Sequence, residues 1–227
     1  MTMDLDFWHE RWQANLIGFH QDKINTHLQR YWPRLQLPAD SRILVPLCGK
    51  SLDMLWLLEQ GHPVVGVEVS QIAIENFFEE HRLSPGVHEE RYGRRYVVEQ
   101  LELLCADFFT LAQADIGPVD AFYDRAALIA LTAAQRPRYA AQLTQLLGHG
   151  SGGLLVTLEY RQSEMSGPPF SVPGEEVQRL FDSAFTLEPL FRFDALEENQ
   201  KFREKGLTQL TEHAWYLRRK GATAERG

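Results

Sequence analysis

Gly49 and Glu68 are the residues of this chain whose types and spacing promise chemistry. Gly49 breaks the apolar run Ile43-Leu44-Val45-Pro46-Leu47-Cys48, and Lys50-Ser51 and a helical pattern to Gln60 follow at once. Glu68 ends a second apolar run, Val64-Val65-Gly66-Val67. It comes about twenty residues later, the interval at which a nucleoside-binding βαβ unit sets an acid beside a ribose. A carboxylate at that strand tip accepts hydrogen bonds from both ribose hydroxyls, so the pair points to an adenosine-bearing cofactor.

What the turn lacks narrows the cofactor. Dinucleotide folds use G-x-G-x-x-G because a pyrophosphate must approach the backbone and rest on a helix N-terminus. Here Gly49 stands alone behind Pro46, Leu47 and Cys48. Gly49-Lys50-Ser51 is similar to the end of a P-loop, but the position where that motif needs its first glycine is Leu44. A ribose-bearing cofactor without phosphate suits this turn, which favours S-adenosylmethionine over NAD(P) and a methyltransferase over a nicotinamide oxidoreductase. A plain strand-to-helix turn in another α/β domain, or a non-catalytic S-adenosylmethionine-binding protein, is the alternative.

The elements that must position these residues alternate between strand and helix patterns from Ile43 onward, which marks a mostly parallel sheet with helices on both faces. Gly61 closes the first helix, and Ser70 caps a second over Gln71–Glu80, where Ile74, Phe77 and Phe78 keep helical spacing. Residues 92–100 have β character and form an extra hairpin before the strand 101–105; Asp107 then caps a loop. A fourth strand, 119–123, ends at Asp124-Arg125, a helix starts afresh near Pro137 and runs to Leu147, and 153–160 is a fifth strand. Residues 166–174 are rich in turn formers and suit a substrate wall over the sheet's carboxyl end. A helix over 175–184 and two antiparallel edge strands near 186–193 and 213–217 complete the pattern. The expectation is a seven-stranded, doubly wound, Rossmann-like sheet with one antiparallel strand. It forms a single domain over 1–227, divided into an aromatic arm (1–40), the core (41–218) and a tail (219–227).

The arm holds Phe7, Trp8, Trp12, Phe19, Tyr31 and Trp32. Trp8 and Trp12 share a face if 6–14 is helical. They either join the core or form a lid whose aromatic faces stabilise a cationic sulfonium, by about 1–2 kcal/mol once water is excluded.

Composition excludes several partners. The net charge of −8 argues against a nucleic-acid substrate, and Arg218-Arg219-Lys220 precedes a Gly/Ala/Thr tail that reads as a solvated end. No apolar run approaches the roughly twenty residues of a membrane span, and the N-terminus lacks a secretory signal pattern, so a cytoplasmic monomer is expected. Cys48 and Cys105 read as buried free thiols, and neither they nor the eight histidines show metal spacing, so no metal is expected.

Phe7-Trp8 with Trp12, Gly18-Phe19-His20, Leu44-Val45-Pro46-Leu47-Cys48-Gly49-Lys50-Ser51, Gly66-Val67-Glu68 and Tyr123-Asp124-Arg125 with Ala127-Leu128 occur in an order that resembles thiopurine S-methyltransferase. The short arm before Trp8 is similar to the bacterial branch. The resemblance implies a class I methyltransferase fold, S-adenosylmethionine as donor with S-adenosylhomocysteine as product, and a small aromatic or heterocyclic thiol as acceptor, with selenium or tellurium compounds as further acceptors in bacteria. By position it implies Trp8, Trp12, Leu47, Gly49, Glu68, Asp107, Phe108 and Arg125 at the cofactor, and Phe19, Arg125 and Arg203 at the substrate. Arg125 is the catalytic candidate, since a guanidinium keeps an acidic thiol ionised and the thiolate is the nucleophile. The bland alternative for Arg125 is a scaffold ion pair with Asp124 or Glu159. Methylation of a base amino group is excluded, because Asp124-Arg125-Ala126-Ala127 lacks the Asp/Asn-Pro-Pro-Tyr/Phe that holds an NH₂ there.

Overall fold

The computed structural model describes residues 5–16 and 20–221. Nine strands form one sheet: β1 (Ile43–Pro46), β2 (Val64–Glu68), β3 (Gly86–Glu90), β4 (Gly93–Val98), β5 (Leu101–Cys105), β6 (Ala121–Arg125), β7 (Gly152–Glu159), β8 (Phe185–Asp194) and β9 (Thr211–Arg219). Their order is β3-β4-β5-β2-β1-β6-β7-β9-β8. The helices are α1 (Leu5–Gln13), α2 (Thr26–Tyr31), α3 (Asp53–Glu59), α4 (Gln71–Glu80), α5 (Gln113–Ile116), α6 (Ala127–Ala130), α7 (Arg136–Leu146), α8 (Gly174–Phe181) and α9 (Gln200–Glu204).

β5, β2, β1, β6 and β7 run parallel, and every residue of β1 and β2 is buried. Helices on both faces explain why these strands read as continuous apolar runs. Alternate side chains divide between two cores. Leu44, Val65, Leu104, Phe122 and Leu155 pack with residues of α6, α7 and α8, while Ile43, Val45, Val64, Leu103, Tyr123 and Leu154 pack with residues of α2, α3 and α4. Gly66 lets β2 lie close to its cover: a Cβ there would meet Leu103 Cδ2 at 2.6 Å and Cys48 Sγ at 2.8 Å. β1 has β2 on one side and β6 on the other, so the chain winds outward in both directions from it. In open α/β sheets the ligand crevice lies at the carboxyl ends beside such a switch point.

The seven expected strands are present as β5-β2-β1-β6-β7-β9-β8, with β9 reversed. The sheet nevertheless has nine strands, because the hairpin β3-β4 pairs onto β5 and brings a second reversed strand, β4. Tyr96 of β4 is buried and stacks on Phe78 at 6.0 Å, which ties the hairpin to α4. β3 is wholly exposed, and its polar His88 and charged Glu89 and Glu90 blunt the open edge. The arm also divides. Tyr31 and Trp32 are core residues with Leu28 and Leu35, whereas α1 together with His20, Gln21, Asp22 and Asn25 lines the crevice. Both cysteines are free, Cys48 buried and Cys105 half-buried.

Candidate active site

The carboxyl ends of the parallel strands open into a cavity of about 420 Å³. At one end the turn after β1 places Leu47 (φ +46°) and Gly49 (φ +53°) in left-handed conformations. That geometry aims the Gly49 N–H at Glu68 Oε2, 2.9 Å away, while Ser70 N donates to Oε1 at 2.8 Å. Glu68 is buried, and desolvation raises its carboxyl above the usual range, opposed by the backbone N–H groups of Ser70, Gly49 and Val69. With these N–H groups on it, the carboxylate still keeps lone-pair capacity for a ligand donor. Trp8 and Trp12 both line the cavity, and a Cβ on Gly49 would sit 3.1 Å from Trp12 Cζ2. Asp107 accepts from Phe109 N at 2.9 Å, which sets the 3-10 turn that carries buried Phe108 to the cavity wall.

At the other end stands Arg125, the last residue of β6, with its side chain only 13% exposed. Nη2 donates to Gln21 Oε1 at 2.6 Å, and Nε lies 3.7 Å from Asp53 Oδ2. Asp53 is itself buried, accepting from Tyr123 OH at 2.9 Å and from Asn25 N at 2.8 Å. Neither sequence-expected scaffold partner holds Arg125. Asp124 caps α6 through Ala127 N (3.0 Å) and Leu128 N (3.2 Å) and accepts from Tyr139 OH at 2.6 Å, whereas Glu159 pairs with His213 at 2.8 Å. Burial raises the Asp124 carboxyl from 3.8 to about 6.

Ala126, next to Arg125, has φ +88°. Leu47 and Ala126 are therefore two non-glycine left-handed residues in the cavity lining. Such conformations cost on the order of 1–3 kcal/mol each and gather at ligand sites.

The family model described as Thiopurine S-methyltransferase matches residues 3–220. The chain belongs to the thiopurine S-methyltransferase family. The thiopurine S-methyltransferase of Pseudomonas fluorescens (strain Pf0-1) is 50% identical over 216 residues, which cover 95% of this chain and 99% of that one. That of Pseudomonas aeruginosa (strain UCBPP-PA14) is 50% identical over 217 residues, 96% and 100% of the two chains. Among solved structures, the Burkholderia thailandensis 1,6-didemethyltoxoflavin-N1-methyltransferase with bound S-adenosylhomocysteine superposes with a TM-score of 0.61 at 15% identity, covering 95% of this chain and 87% of that one. An S-adenosylmethionine-dependent methyltransferase from Methanosarcina mazei gives 0.59 at 15%, covering 88% and 99%. These two likenesses carry the fold, class I and Rossmann-like. Membership of the thiopurine S-methyltransferase family makes the chain an S-adenosylmethionine-dependent methyltransferase.

The cavity has the chemistry this family's methyl donor requires. Glu68 supplies a braced acceptor for hydroxyls, Leu47 and Phe108 supply apolar walls, and the space over Gly49 is one that a Cβ would fill against Trp12. The structure brings Trp8, Trp12, Leu47, Gly49, Glu68, Asp107, Phe108 and Arg125 onto this single cavity. Arg203 is exposed and stands outside the residues that line the cavity, whereas Lys201 and Phe202 of α9 and Lys205 just after it line it. Phe19 lies outside the described residues. Pro168 and Pro169 of the 166–174 loop also line the cavity, pinned by Tyr160 OH donating to Pro169 O at 2.6 Å. Sequence reasoning missed Gln21, Asn25, Lys201 and Glu212, which also line the cavity. Gln21 sits just after the Gly18-Phe19-His20 motif and was within reach of that signal, but the others come from segments with no pattern of their own.

Proposed function

We propose that this chain methylates the sulfur of small aromatic and heterocyclic thiols, thiopurines among them, with the residues of the cavity in the following roles. When bound, S-adenosylmethionine supplies an electrophilic methyl group on a sulfonium sulfur. Glu68 accepts the ribose hydroxyls, and Gly49 and Leu47 form the floor beside it. Asp107 and Phe108 border the adenine. Trp8 and Trp12 close over the sulfonium, offer it aromatic faces and exclude water. Arg125 holds the acceptor sulfur, as a thiolate or as the polarised sulfur of a thione, in line with the methyl carbon, so that positioning and charge supply most of the rate.

The observation that carries this reading is one cavity with Glu68 at the tip of β2 and Arg125 at the tip of β6, on either side of β1. The first suits a neutral ribose, the second an anionic sulfur. The same pocket would take anionic selenium or tellurium compounds. Each copy of the chain has both ends of the cavity, so a cytoplasmic monomer suffices for the reaction.

The test is the product formed from 6-mercaptopurine and S-adenosylmethionine, identified by mass and ultraviolet spectrum against S-methyl and N-methyl standards. S-methylmercaptopurine with stoichiometric S-adenosylhomocysteine is expected. An N-methyl product, or donor binding without turnover on any thiol, would overturn the assignment.

A further inference from the structure

Glu212 is an acid on the acceptor side of the cavity that the reading above leaves unused. The strand register places it: Arg125 of β6 pairs with Val156 of β7, and Val156 pairs with Ala214 of β9. Paired residues in adjacent strands share a face, and so do residues two apart along one strand. Glu212 therefore stands on the same face of the sheet as Arg125, two strands away and nearer the carboxyl end, opposite Leu158. Arg125, Val156, Leu158 and Glu212 all line the cavity.

Glu212 is held rather than loose. His27 Nε2 lies 2.9 Å from Glu212 Oε2, and the imidazole is buried against Phe191, ring centroids 4.8 Å apart. Among the described residues no hydrogen bond is made to Oε1, and the side chain keeps 29% of its surface exposed. A carboxylate so placed repels a thiolate acceptor but is matched to an N–H donor. Many heterocyclic thiols rest as thiones, with the proton on a ring nitrogen next to the C=S carbon. Such an acceptor has a sulfur for Arg125 and an N–H for an acid.

Resting on the S-methylation reading, we propose that Glu212 is a general base for heterocyclic thiones, taking the ring N–H proton as the sulfur is methylated, and that His27 is its positioning residue. A sulfur lone pair forms the bond to the methyl carbon while the methyl bond to the donor sulfur breaks, its electron pair leaving with that sulfur. The N–H pair stays on nitrogen, a C=N bond replaces the C=S bond, and the proton passes to Glu212 Oε1. The products are a neutral methylthio heterocycle, S-adenosylhomocysteine and a protonated Glu212 that discharges to solvent. A carboxylate can take this proton, because S-methylation converts the ring N–H into a strongly acidic cation and makes its transfer downhill. Arenethiols, which ionise near neutral pH and carry no N–H, need no such base.

The test compares two acceptors, 6-mercaptopurine and thiophenol, across wild type, Glu212→Gln and Glu212→Asp. S-adenosylhomocysteine affinity and thermal midpoint are measured for each protein. Glu212→Gln should lower kcat/KM for 6-mercaptopurine on the order of 10²-fold, the usual reach of a general base. It should not lower thiophenol turnover, and raises it to the extent that the lost carboxylate repelled the thiolate, with donor-site affinity and midpoint held and part of the 6-mercaptopurine loss restored in Glu212→Asp. In the complex with S-adenosylhomocysteine, 6-mercaptopurine should bind Glu212→Gln more weakly than wild type, and thiophenol should not. Equal losses on both acceptors, or none on either, would overturn the role of Glu212. Wild type that methylates neither acceptor would instead overturn the S-methylation reading itself.

Discussion

The backbone N–H of Gly49 donates to Glu68 Oε2 at 2.9 Å, so the turn after β1 and the acid at the end of β2 form one unit. Glu68→Gln breaks it, because an amide cannot accept from both Gly49 N and Ser70 N through two oxygens. The expected result is a stability loss of about 1–3 kcal/mol from a buried donor left unmatched. S-adenosylhomocysteine affinity should fall beyond what that unfolding explains, as measured by titration calorimetry well below the midpoint. Unchanged affinity would mean that Glu68 only braces the turn.

Arg125 is positioned through Asp53, which lies 3.7 Å from its Nε and is fixed by Tyr123 and Asn25. Asp53→Asn keeps the shape and removes the charge. It should cost on the order of tenfold in kcat/KM for the thiol through misplacement of the guanidinium, with S-adenosylhomocysteine affinity nearly unchanged. Steady-state kinetics with both ligands varied checks this, and a loss confined to the donor site would place Asp53 elsewhere in the mechanism.

Trp12 packs over Gly49, and the two can be uncoupled. Gly49→Ala meets a left-handed backbone and the Trp12 indole at 3.1 Å. Alone it should lower S-adenosylhomocysteine affinity; added to Trp12→Ala it should lower it further by a smaller factor, since the contact is already gone. Trp12→Ala alone should weaken that affinity by more than it lowers the unfolding free energy. Equal losses in both would make Trp12 a core residue and not a lid.

Asp124 sets a pH dependence of stability. Its folded carboxyl is raised from 3.8 to about 6, so its stabilising contribution is fully present below pH 3.8 and is lost as pH rises through about 6. Asp124→Asn still caps α6 and carries no charge to desolvate. Relative to wild type, the variant should gain up to about 3 kcal/mol between acid and neutral pH, the free energy of a shift of roughly two units. Denaturant unfolding of both proteins at several pH values measures it, and a difference that does not vary with pH would contradict it.

Much of this was legible in the chain because it rests on local rules. The buried runs of β1 and β2 needed no knowledge of the fold, nor did the Ser70 cap, whose hydroxyl accepts from Ala73 N at 3.3 Å. The break before α7 was readable too, with Pro137 in its first turn. The strand count was not fully legible, because β3 buries nothing and is a strand only by pairing with β4. At the site, Glu68 and Arg125 were readable as strand-end residues. Asp53 and His27 were not, since each matters through a partner far along the chain: Arg125 for the first, Glu212 for the second. Where Arg203 stands relative to Lys201 and Phe202 was not legible for a related reason: which face of a helix as short as α9 meets the cavity depends on packing, not on its five residues.

The central claim is that one cavity has a donor end at Glu68 and an acceptor end at Arg125. The most direct measurement is the rate of S-adenosylhomocysteine formation from 6-mercaptopurine in wild type, Glu68→Gln and Arg125→Ala, with donor and acceptor concentrations varied independently. Glu68→Gln should raise the KM for S-adenosylmethionine and leave that for the thiol nearly unchanged, while Arg125→Ala should lower kcat and raise the KM for the thiol at nearly constant affinity for S-adenosylhomocysteine. If both substitutions move the same constant, or if Arg125→Ala turns over like wild type, the division of the cavity into these two ends is wrong.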